Sequence, residues 1–412
     1  AFFAGRVYPF FVQQYQVSPN EIVKEAPYIK YNIDFTRRAF GLDGIEERPF
    51  AADEMLTGAD IQKNANTLGN IRLWDPRTLA QTYSQIQVIR LYYNFRDVDV
   101  DRYSIGGRLQ QVMLSPREMA VQQLPDRAKT WQNEHLVYTH GYGAVVSQVA
   151  QVSGEGLPKM LVKDIPPQSS VPELNIANPA IYYGEQEENY AVVRTDTEEF
   201  DYPKGDDNVY TTYGGSGGVG ISSFFKKLAF SWRLGSIKLL VSDSITADSR
   251  IMIHREVKDR IHNIAPFLKY DHDPYLVLAG GRMYWIQDAY TTTENYPYSQ
   301  PAGEGYNYMR NSVKVVVDAY NGDVTFYAVE EDDPILETYE KIFPELFTPG
   351  EQMPQELRPH WRYPQDLFLA QAQTYATYHM TDPQVFYNKE DQWSTPHLQA
   401  GDRSVAMDPY YV

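Results

Sequence analysis

The stretch Asp271-His-Asp-Pro-Tyr-Leu-Val-Leu-Ala-Gly-Gly-Arg-Met-Tyr-Trp-Ile-Gln-Asp-Ala-Tyr290 predicts a β-hairpin and decides the fold of the chain. An apolar run and an aromatic, β-branched run flank Gly280-Gly281, which can adopt the positive φ angles of a tight turn. A second hairpin follows, because Asn321-Gly322 separates two further strand-like runs, 312–320 and 323–329. Two hairpins in succession predict an antiparallel sheet in this part of the chain.

Helices and further strands are predicted on both sides of the hairpins. The first helix is expected at 18–41 with a break or a kink at Pro27, and a capping box at Ser115–Glu118 predicts a helix that continues to Trp131. Other helices are expected at 51–55, 60–66, 75–85, 221–232, 255–265, 333–342 and 363–380. Other strands are expected at 88–95, 109–114, 136–139, 144–149, 159–162, 180–183, 191–195 and 237–241. The pattern predicts an α+β fold of mixed, largely antiparallel sheets with peripheral helices.

The organisation along the chain suggests two parts. We expect residues 1–135 to form a helix-rich part with a strand pair, and residues 136–412 to form a mixed α+β main part, with one large domain as the alternative. No run of about 18 apolar residues occurs, so no transmembrane segment is predicted. The sequence begins without Met, and we interpret it as a fragment of a longer protein.

Composition excludes several classes of function. The net charge is −17 and no run of Lys and Arg interrupts it, so nucleic acid is not an expected partner. The absence of Cys excludes disulfides, thiolate zinc sites and cysteine nucleophiles. The 33 tyrosines favour half-buried strands, protein interfaces or sugar-stacking surfaces without choosing among them.

Asp97, Asp99 and Asp101 form a candidate metal site. They alternate with Val, so a strand would place all three carboxylates on one face, where like charges need compensation. Ca²⁺ would supply it, since this cation prefers several carboxylate oxygens. Arginines would supply it as well, and four lie nearby in the sequence, namely Arg90, Arg96, Arg102 and Arg108. Both interpretations stay open at this point.

Two segments carry residues that could serve a hydrolase. Gly214-Gly-Ser-Gly-Gly218 matches a nucleophile elbow with Ser216 as nucleophile, and Thr139-His-Gly-Tyr-Gly143 is similar to an oxyanion-hole segment. A flexible or tightly turning loop is the simpler interpretation of the glycines. Lys226 and Lys227 follow too late for a phosphate-binding loop. Glycoside hydrolysis needs two carboxylates beside a cleft, and the candidates are Glu185, Glu187, Glu188, Asp271, Asp273 and Asp288.

Segments along nearly the whole chain resemble one known family. They include Val17-Ser-Pro-Asn-Glu21, Asp97-Val-Asp-Val-Asp-Arg-Tyr103, Tyr138-Thr-His-Gly-Tyr-Gly143, Pro179-Ala-Ile-Tyr-Tyr-Gly-Glu185, Tyr284-Trp-Ile-Gln-Asp-Ala-Tyr290, Arg310-Asn-Ser-Val-Lys-Val-Val-Val-Asp-Ala-Tyr320 and Arg362-Tyr-Pro364. The chain resembles uncharacterised protein family 0182, large membrane proteins with N-terminal transmembrane helices and a large extracytoplasmic domain. The resemblance implies a place on the extracytoplasmic face of the cell membrane, with transmembrane helices before Ala1 and release by processing as a further option. It assigns no catalytic residue.

The leading functional hypothesis is an extracytoplasmic structural, assembly or ligand-binding module of the cell envelope, without identified catalysis. Its expected partners are its own transmembrane region, other envelope proteins or further copies of itself, and the one cofactor considered is Ca²⁺. Within the hairpin, Tyr284, Trp285, Asp288 and Tyr290 are the candidate ligand-binding residues. The alternative hypothesis is an extracytoplasmic hydrolase that acts on envelope glycans or esters.

Overall fold

The chain folds into an α+β structure in which small helices surround several antiparallel sheets. The computed structural model describes residues 3–49, 55–87, 90–186, 189–303, 305–330, 332–400 and 403–411. Within these ranges, no helix combines the length and the apolar character needed to cross a membrane. The predicted fold class is therefore confirmed.

A six-stranded sheet, here called the central sheet, contains both predicted hairpins. Its strands are Lys269–Tyr270, Tyr275–Ala279, Arg282–Thr293, Tyr308–Asp318, Val324–Ala328 and Phe347–Pro349. All neighbours pair antiparallel except the last two, which are parallel. Gly280 and Gly281 turn the first hairpin at φ angles of +57° and +75°, which only glycine adopts without strain. Both hairpins predicted from the sequence are thus confirmed.

A five-stranded sheet packs against the central sheet. Its strands are Asp99–Ile105, Arg108–Pro116, Ala144–Val152, Pro158–Lys163 and Gln168–Ser169. The two sheets share one apolar core, to which the central sheet gives the buried Trp285 and Val315 and the other sheet gives Val112 and Val146. A hydrogen bond of 2.9 Å from the Leu276 amide to Asp99 Oδ2 also links them. This joint places the start of strand Asp99–Ile105 beside the turn that precedes Tyr275.

The remaining strands form small sheets around this core. They pair as Tyr93–Asn94 with Glu118–Met119, Gly141–Tyr142 with Ala180–Ile181, Glu199–Lys204 with Asp207–Thr211, His397–Ala400 with Arg403–Ala406, and Arg250–Met252 between Ala191–Val193 and Val219–Gly220. The α-helices are Tyr8–Val12, Glu21–Ala39, Gly58–Lys63, Ala65–Gly69, Pro76–Gln87, Phe224–Arg233, Lys238–Val241, Val257–Ile264, Pro334–Ile342, Gln365–Tyr378 and Pro383–Asn388. The helices expected at 221–232, 255–265, 333–342 and 363–380 are confirmed.

Several local predictions are wrong, and tertiary contacts explain why. Helix Glu21–Ala39 continues through Pro27, because Ile33, Thr36 and Ala39 anchor its later turns in the core. The capping box at Ser115–Glu118 opens no helix, since Ser115 is buried in strand Arg108–Pro116 opposite Val145. Cross-strand pairing and burial override local propensity in such cases.

Two predicted strands are helical instead. Residues 238–241 form a helical turn, and Leu136 lies in the short π-helix Asn133–Val137. Leu136 and Leu239 are both buried in one apolar cluster. A helical turn can direct these side chains into the cluster as well as a strand can. Most of the helix expected at 51–55 and the start of the strand expected at 88–95 lie outside the described residues. The division at residue 135 stays a prediction.

Candidate metal centre

Three chain segments that are far apart in sequence meet at a cluster of carboxylates, here called the acidic centre. Asp97 precedes strand Asp99–Ile105, Asp273 precedes strand Tyr275–Ala279, and Glu185 follows strand Ala180–Ile181. Oxygen atoms from Asp97, Glu185 and Asp273 all lie within 4.8 Å of one another. Oxygens on opposite sides of a bound Ca²⁺ lie up to about 5 Å apart, because each Ca–O distance is about 2.3–2.6 Å. The spacing therefore fits one shared cation.

Backbone hydrogen bonds hold Glu185 in this position. The Gly184 amide donates to the Arg255 carbonyl at 3.1 Å, and the Val257 amide donates to the Gly184 carbonyl at 2.9 Å. Next in the chain, the Gln186 amide donates to Glu118 Oε2 at 2.9 Å. The main chain on both sides of Glu185 is consequently held in place.

Buried oxygens without a hydrogen-bond partner point to a ligand at this centre. Glu185 is 1% exposed, and its Oε2 atom has no hydrogen-bond partner among the described residues. Within the same part of the structure, no donor reaches the buried Asp97 Oδ1, and the hydrogen bond between the Asp97 and Glu185 side chains needs a proton on one of the two carboxylates. A buried carboxylate oxygen in this state is costly unless a proton or a cation compensates it.

The electrostatics of the centre lead to the same choice between proton and cation. Burial, aided by the charges of Asp97 and Glu118, raises the pKa of Glu185 to about 11. Burial beside Asp273 raises the pKa of Asp97 to about 6. The ionised form of the cluster needs nearby positive charge, and a divalent cation would provide it where the carboxylates converge.

Arg362 compensates one side of the cluster. It is buried, its Nη1 lies 3.6 Å from Asp99 Oδ1, and its Nη2 lies 3.4 Å from Asp273 Oδ2. Its guanidinium group also lies 3.7 Å from the centre of the Tyr275 ring. Arg96 donates to the Glu185 carbonyl at 2.6 Å and not to its carboxylate. The carboxylates of the centre therefore outnumber the guanidinium groups that contact them.

The structure separates the three aspartates that the sequence grouped. Asp97 belongs to the acidic centre, Asp99 contacts Arg362, and Asp101 accepts a 2.7 Å hydrogen bond from His360 Nδ1. Of the arginines expected as partners, Arg90 and Arg102 donate to the carbonyls of Gly205 and Trp361. Arg96 donates to the Glu185 carbonyl, and its charge partly offsets the rise that burial causes in the pKa of Asp97. Cation binding by Asp97, Asp99 and Asp101 stays a prediction, while the geometry favours Glu185 and Asp273 as the companions of Asp97.

A second charged cluster lies next to the first, and its members are paired with each other. His272 Nδ1 lies 2.9 Å from Asp366 Oδ1 and 3.3 Å from Asp271 Oδ1. These two carboxylates raise the pKa of His272 to about 10. Asp271 also accepts hydrogen bonds from the Tyr290 hydroxyl and the Asp366 amide. Because the two carboxylates already have the His272 imidazolium as a partner, a metal cation would gain less electrostatic attraction here than at the acidic centre.

The candidate ligand-binding residues of the hairpin lie on both faces of strand Arg282–Thr293. Trp285 is fully buried, and its Nε1 donates to the Tyr183 carbonyl at 2.9 Å. Asp288 is buried against Lys314, and Tyr290 is buried against Asp271. Tyr284 is half-buried, so a surface ligand could reach it more readily than the other three residues. Ligand binding at this stretch stays a prediction.

The residues considered for hydrolysis are engaged in structural contacts. The Arg250 guanidinium group donates to the carbonyls of Ser216, Gly217 and Gly218, and the Ser216 amide donates to Asn321 Oδ1 at 3.1 Å. His140 is fully buried, and burial lowers its pKa to about 4. These contacts favour the interpretation of a tightly held loop. Glu187 and Glu188 lie outside the described residues.

Sequence reasoning missed Arg362, Glu118 and His360 as neighbours of the acidic residues. No local pattern joins them to Asp97, since Arg362 and His360 lie more than 250 positions away. Glu185 and Asp273 were named, but as carboxylates for glycoside hydrolysis. The family resemblance contained one signal for this site, because the segments that carry the resemblance include those with Asp97, Glu185 and Arg362.

Comparison with known proteins places the chain in a family. It is 51% identical to a UPF0182 protein of Pelotomaculum thermopropionicum over 408 residues, which is 99% of this chain and 44% of that protein. UPF0182 proteins of Desulforamulus reducens and Methanospirillum hungatei are 52% and 49% identical over 410 and 409 residues, covering 99% and 98% of this chain and 44% and 45% of their own length. The chain thus spans less than half the length of these relatives. No solved structure matches it.

The family assignment rests on the whole chain. The profile of the uncharacterised protein family UPF0182 matches residues 1–412, and the relatives above match along nearly the same extent. The resemblance inferred from sequence segments is confirmed. The chain belongs to the uncharacterised protein family UPF0182.

Proposed function

We propose that this chain is a non-catalytic binding module in the extracytoplasmic part of a larger membrane protein, and that a divalent cation stabilises it at the acidic centre. The observation that carries the cation site is Glu185 Oε2, a buried carboxylate oxygen that no hydrogen-bond donor of the described residues reaches, placed beside Asp97 and Asp273. The extracytoplasmic location rests on what the family resemblance implies. Its partners would be the remainder of its own longer protein, other envelope proteins or a second copy.

Ca²⁺ is the cation that the donor set fits best. The three side chains offer only oxygen donors, which hard cations prefer, and the site joins segments from three parts of the chain. Extracellular calcium modules work at dissociation constants of about 10⁻⁴–10⁻³ M, which suits a compartment where the ion is abundant. Mg²⁺ requires smaller, nearly octahedral geometry and should bind less well. The cation would thereby hold the two main sheets and the Glu185 segment in one arrangement.

The hydrolase hypothesis has less structural support. A glycosidase needs its two carboxylates open to a sugar ring, whereas Glu185 is 1% exposed. The loop that carries Ser216 directs three carbonyls at Arg250, while an oxyanion hole requires amide groups that face the substrate. Screening the chain and its Ser216→Ala variant with model esters and envelope glycans tests this alternative. Turnover that Ser216→Ala abolishes would replace our proposal with the hydrolase.

Thermal unfolding with added Ca²⁺ or with a chelator tests the cation site. A ligand that binds only the native state stabilises it by about 2.7 kcal/mol at one hundred times its dissociation constant, so the melting temperature should rise by a few degrees. Glu185→Gln should remove this response, because the variant loses one ligand charge at the site. Glu199→Gln is the matched control, since Glu199 is also 1% exposed but lies outside the acidic centre.

The outcomes separate the cation site from a general effect of salt. Equal Ca²⁺ responses in the wild type, Glu185→Gln and Glu199→Gln would mean that the ion acts elsewhere. An unchanged melting temperature of the wild type at about 100 mM Ca²⁺, one hundred times the weakest dissociation constant expected, would show that protons, and not a cation, balance the carboxylates. Isothermal titration with CaCl₂ then gives the stoichiometry, for which we expect one ion per chain at this site.

A further inference from the structure

Helix Phe224–Arg233 exposes an apolar stripe on the surface. Phe224, Leu228 and Trp232 are spaced four residues apart and therefore lie on one side of the helix, with Phe225 beside them. Their exposed fractions are 66%, 44% and 88% for the three spaced residues and 79% for Phe225. Large aromatic side chains that are this exposed and contiguous usually mark a binding surface.

The opposite side of the same helix packs against the protein. The helix therefore already has a buried side, and the apolar stripe is exposed in addition to it. Phe230 and Leu234 pack against an apolar cluster that contains the buried residues Leu136, Leu239 and Ile251. The Ser223 hydroxyl accepts from the Lys226 amide at 3.3 Å and caps the start of the helix. After a short turn, the chain exposes two more apolar side chains, Ile237 at 69% and Val241 at 66%.

Positive charge is concentrated around this stripe in a chain that is otherwise acidic. Residues 221–242 contain Lys226, Lys227, Arg233 and Lys238 and no Asp or Glu, whereas the whole chain carries a net charge of −17. Lys226, Arg233 and Lys238 are exposed, while Lys227 is half-buried and donates to the Ile245 carbonyl at 2.9 Å. On the helix, Lys226 and Arg233 lie about 80–100° around the axis from Phe225, on exposed surface between the apolar stripe and the packed side.

We propose that this cationic apolar face, residues 221–242, binds the surface of an anionic lipid bilayer, with helix Phe224–Arg233 parallel to the membrane plane. Aromatic side chains would enter the boundary between headgroups and acyl chains, and the flanking cations would contact lipid phosphates. Lys is depleted in protein interfaces relative to the rest of the surface, so the exposed Lys226 and Lys238 favour lipid over a protein partner. Only this face would approach the bilayer, because the rest of the acidic chain is repelled by it. The inference is independent of the acidic centre.

Sedimentation of the whole chain with vesicles tests this surface. We expect binding to vesicles of phosphatidylcholine with phosphatidylglycerol, weaker binding to phosphatidylcholine alone, and weaker binding at higher salt. The double variant Phe225→Ser and Trp232→Ser should lose about tenfold or more in affinity, because each aromatic ring loses its burial in the bilayer. Lys226→Glu with Lys238→Glu should abolish the preference for anionic vesicles.

Matched controls lie elsewhere on the surface. Leu91→Ser removes an apolar side chain that is 76% exposed, and Lys159→Glu reverses an exposed charge on strand Pro158–Lys163, and neither should change vesicle binding. All these side chains are exposed, so thermal unfolding should confirm that the variants fold. A wild type that ignores anionic vesicles, or variants that bind like the wild type, would overturn the proposal. A dimer in sedimentation equilibrium that Trp232→Ser dissolves, without vesicle binding, would assign the face to self-association instead.

Discussion

Glu185 and Glu199 are equally buried, at 1% exposure each, yet their surroundings differ completely. Glu199 accepts hydrogen bonds from the Thr139 hydroxyl at 2.5 Å, the Tyr182 hydroxyl at 2.8 Å and the Tyr213 amide at 2.9 Å. Glu185 has Asp97 and Asp273 as neighbours and keeps one oxygen without a hydrogen-bond partner in the described structure. Burial alone therefore does not call for a ligand, whereas a buried carboxylate without compensation calls for a proton or a cation.

Asp288 shows a third way to bury a carboxylate. It forms an ion pair with Lys314, and both side chains are at most 5% exposed. Lys314 also donates to the Arg362 carbonyl at 3.1 Å. Hydrogen bonds and an ion pair are thus two solutions to one electrostatic problem within a single fold, and the cation proposed for the acidic centre would be a third.

Lys314→Met should destabilise the protein most. It leaves Asp288 buried without its cation, and breaking a buried ion pair costs about 3–5 kcal/mol in the free energy of unfolding. The double variant Lys314→Met and Asp288→Leu should recover much of that loss, because neither member of the pair then stays buried and unpaired. Urea unfolding of the three proteins measures both values. A double variant as unstable as the single one would show that packing, and not the charge on Asp288, dominates.

His140 extends the comparison to a buried base. Its Nε2 atom lies 4.0 Å from Asp201 Oδ1, beyond hydrogen-bond distance, and burial holds its pKa at about 4 against an ordinary value of 6.5. Between pH 6.5 and 4 the unfolded chain binds a proton at His140 that the native state does not, so stability falls as the pH falls. The loss for this one group is about 3 kcal/mol at pH 4.

His140→Gln should remove that acid sensitivity. The unfolding free energies of wild type and variant should converge by about 3 kcal/mol as the pH is lowered from 7 to 4, because glutamine does not titrate. Asp201, whose pKa burial raises to about 6, is present in both proteins and largely cancels in the difference. Guanidinium unfolding at several pH values gives the two curves. Parallel curves would mean that His140 binds its proton over the same pH range in the native and the unfolded state.

Glu199→Gln should cost about 2 kcal/mol without affecting the response to Ca²⁺. The amide group of glutamine turns a donor toward the Tyr182 hydroxyl or the Tyr213 amide, both of which donate to Glu199 in the wild type. Glu185→Gln should behave in the opposite way, because Glu185 accepts no such set of hydrogen bonds. It should lose the Ca²⁺ response and show little loss of stability with chelator present. Chemical unfolding with and without Ca²⁺ gives all four values. If both variants lose stability equally in chelator, the distinction between the two glutamates fails.

The sequence predicted the parts of the fold that local patterns encode. Gly280-Gly281 and Asn321-Gly322 identify both hairpins, because Gly280, Gly281 and Gly322 have positive φ angles that glycine adopts without strain. Asp333 before Pro334 marks a helix start, because the Asp333 side chain accepts a hydrogen bond from the first turn. Ser115 and Leu136 were assigned wrongly, because their conformation depends on strands and clusters that lie far away in sequence.

The acidic centre was predictable only in part. Asp97 was predicted as a candidate metal ligand from its alternation with Val, but that pattern describes one strand, whereas the centre joins residues 97, 185 and 273. Which carboxylates converge depends on how the two main sheets pack, and no local spacing encodes that packing. The position of Glu185 depends on Gly184, whose contribution a single substitution can measure.

Gly184→Ala should produce the smallest loss of stability and still disturb the acidic centre. A Cβ at this position would overlap Glu118 Oε2, so either the Glu118 side chain or the Glu185 segment has to move. We expect a destabilisation of about 1–2 kcal/mol, typical of overpacking, together with a weaker Ca²⁺ response because Glu185 shifts from its place. Gly44→Ala is the matched control, since a Cβ there meets no atom within 4 Å and should leave both quantities nearly unchanged. If Gly184→Ala lowers stability while the calcium affinity stays at the wild-type value, the Glu118 side chain has moved to make room for the added Cβ. The Glu185 segment is then held more firmly than the two backbone hydrogen bonds of Gly184 suggest.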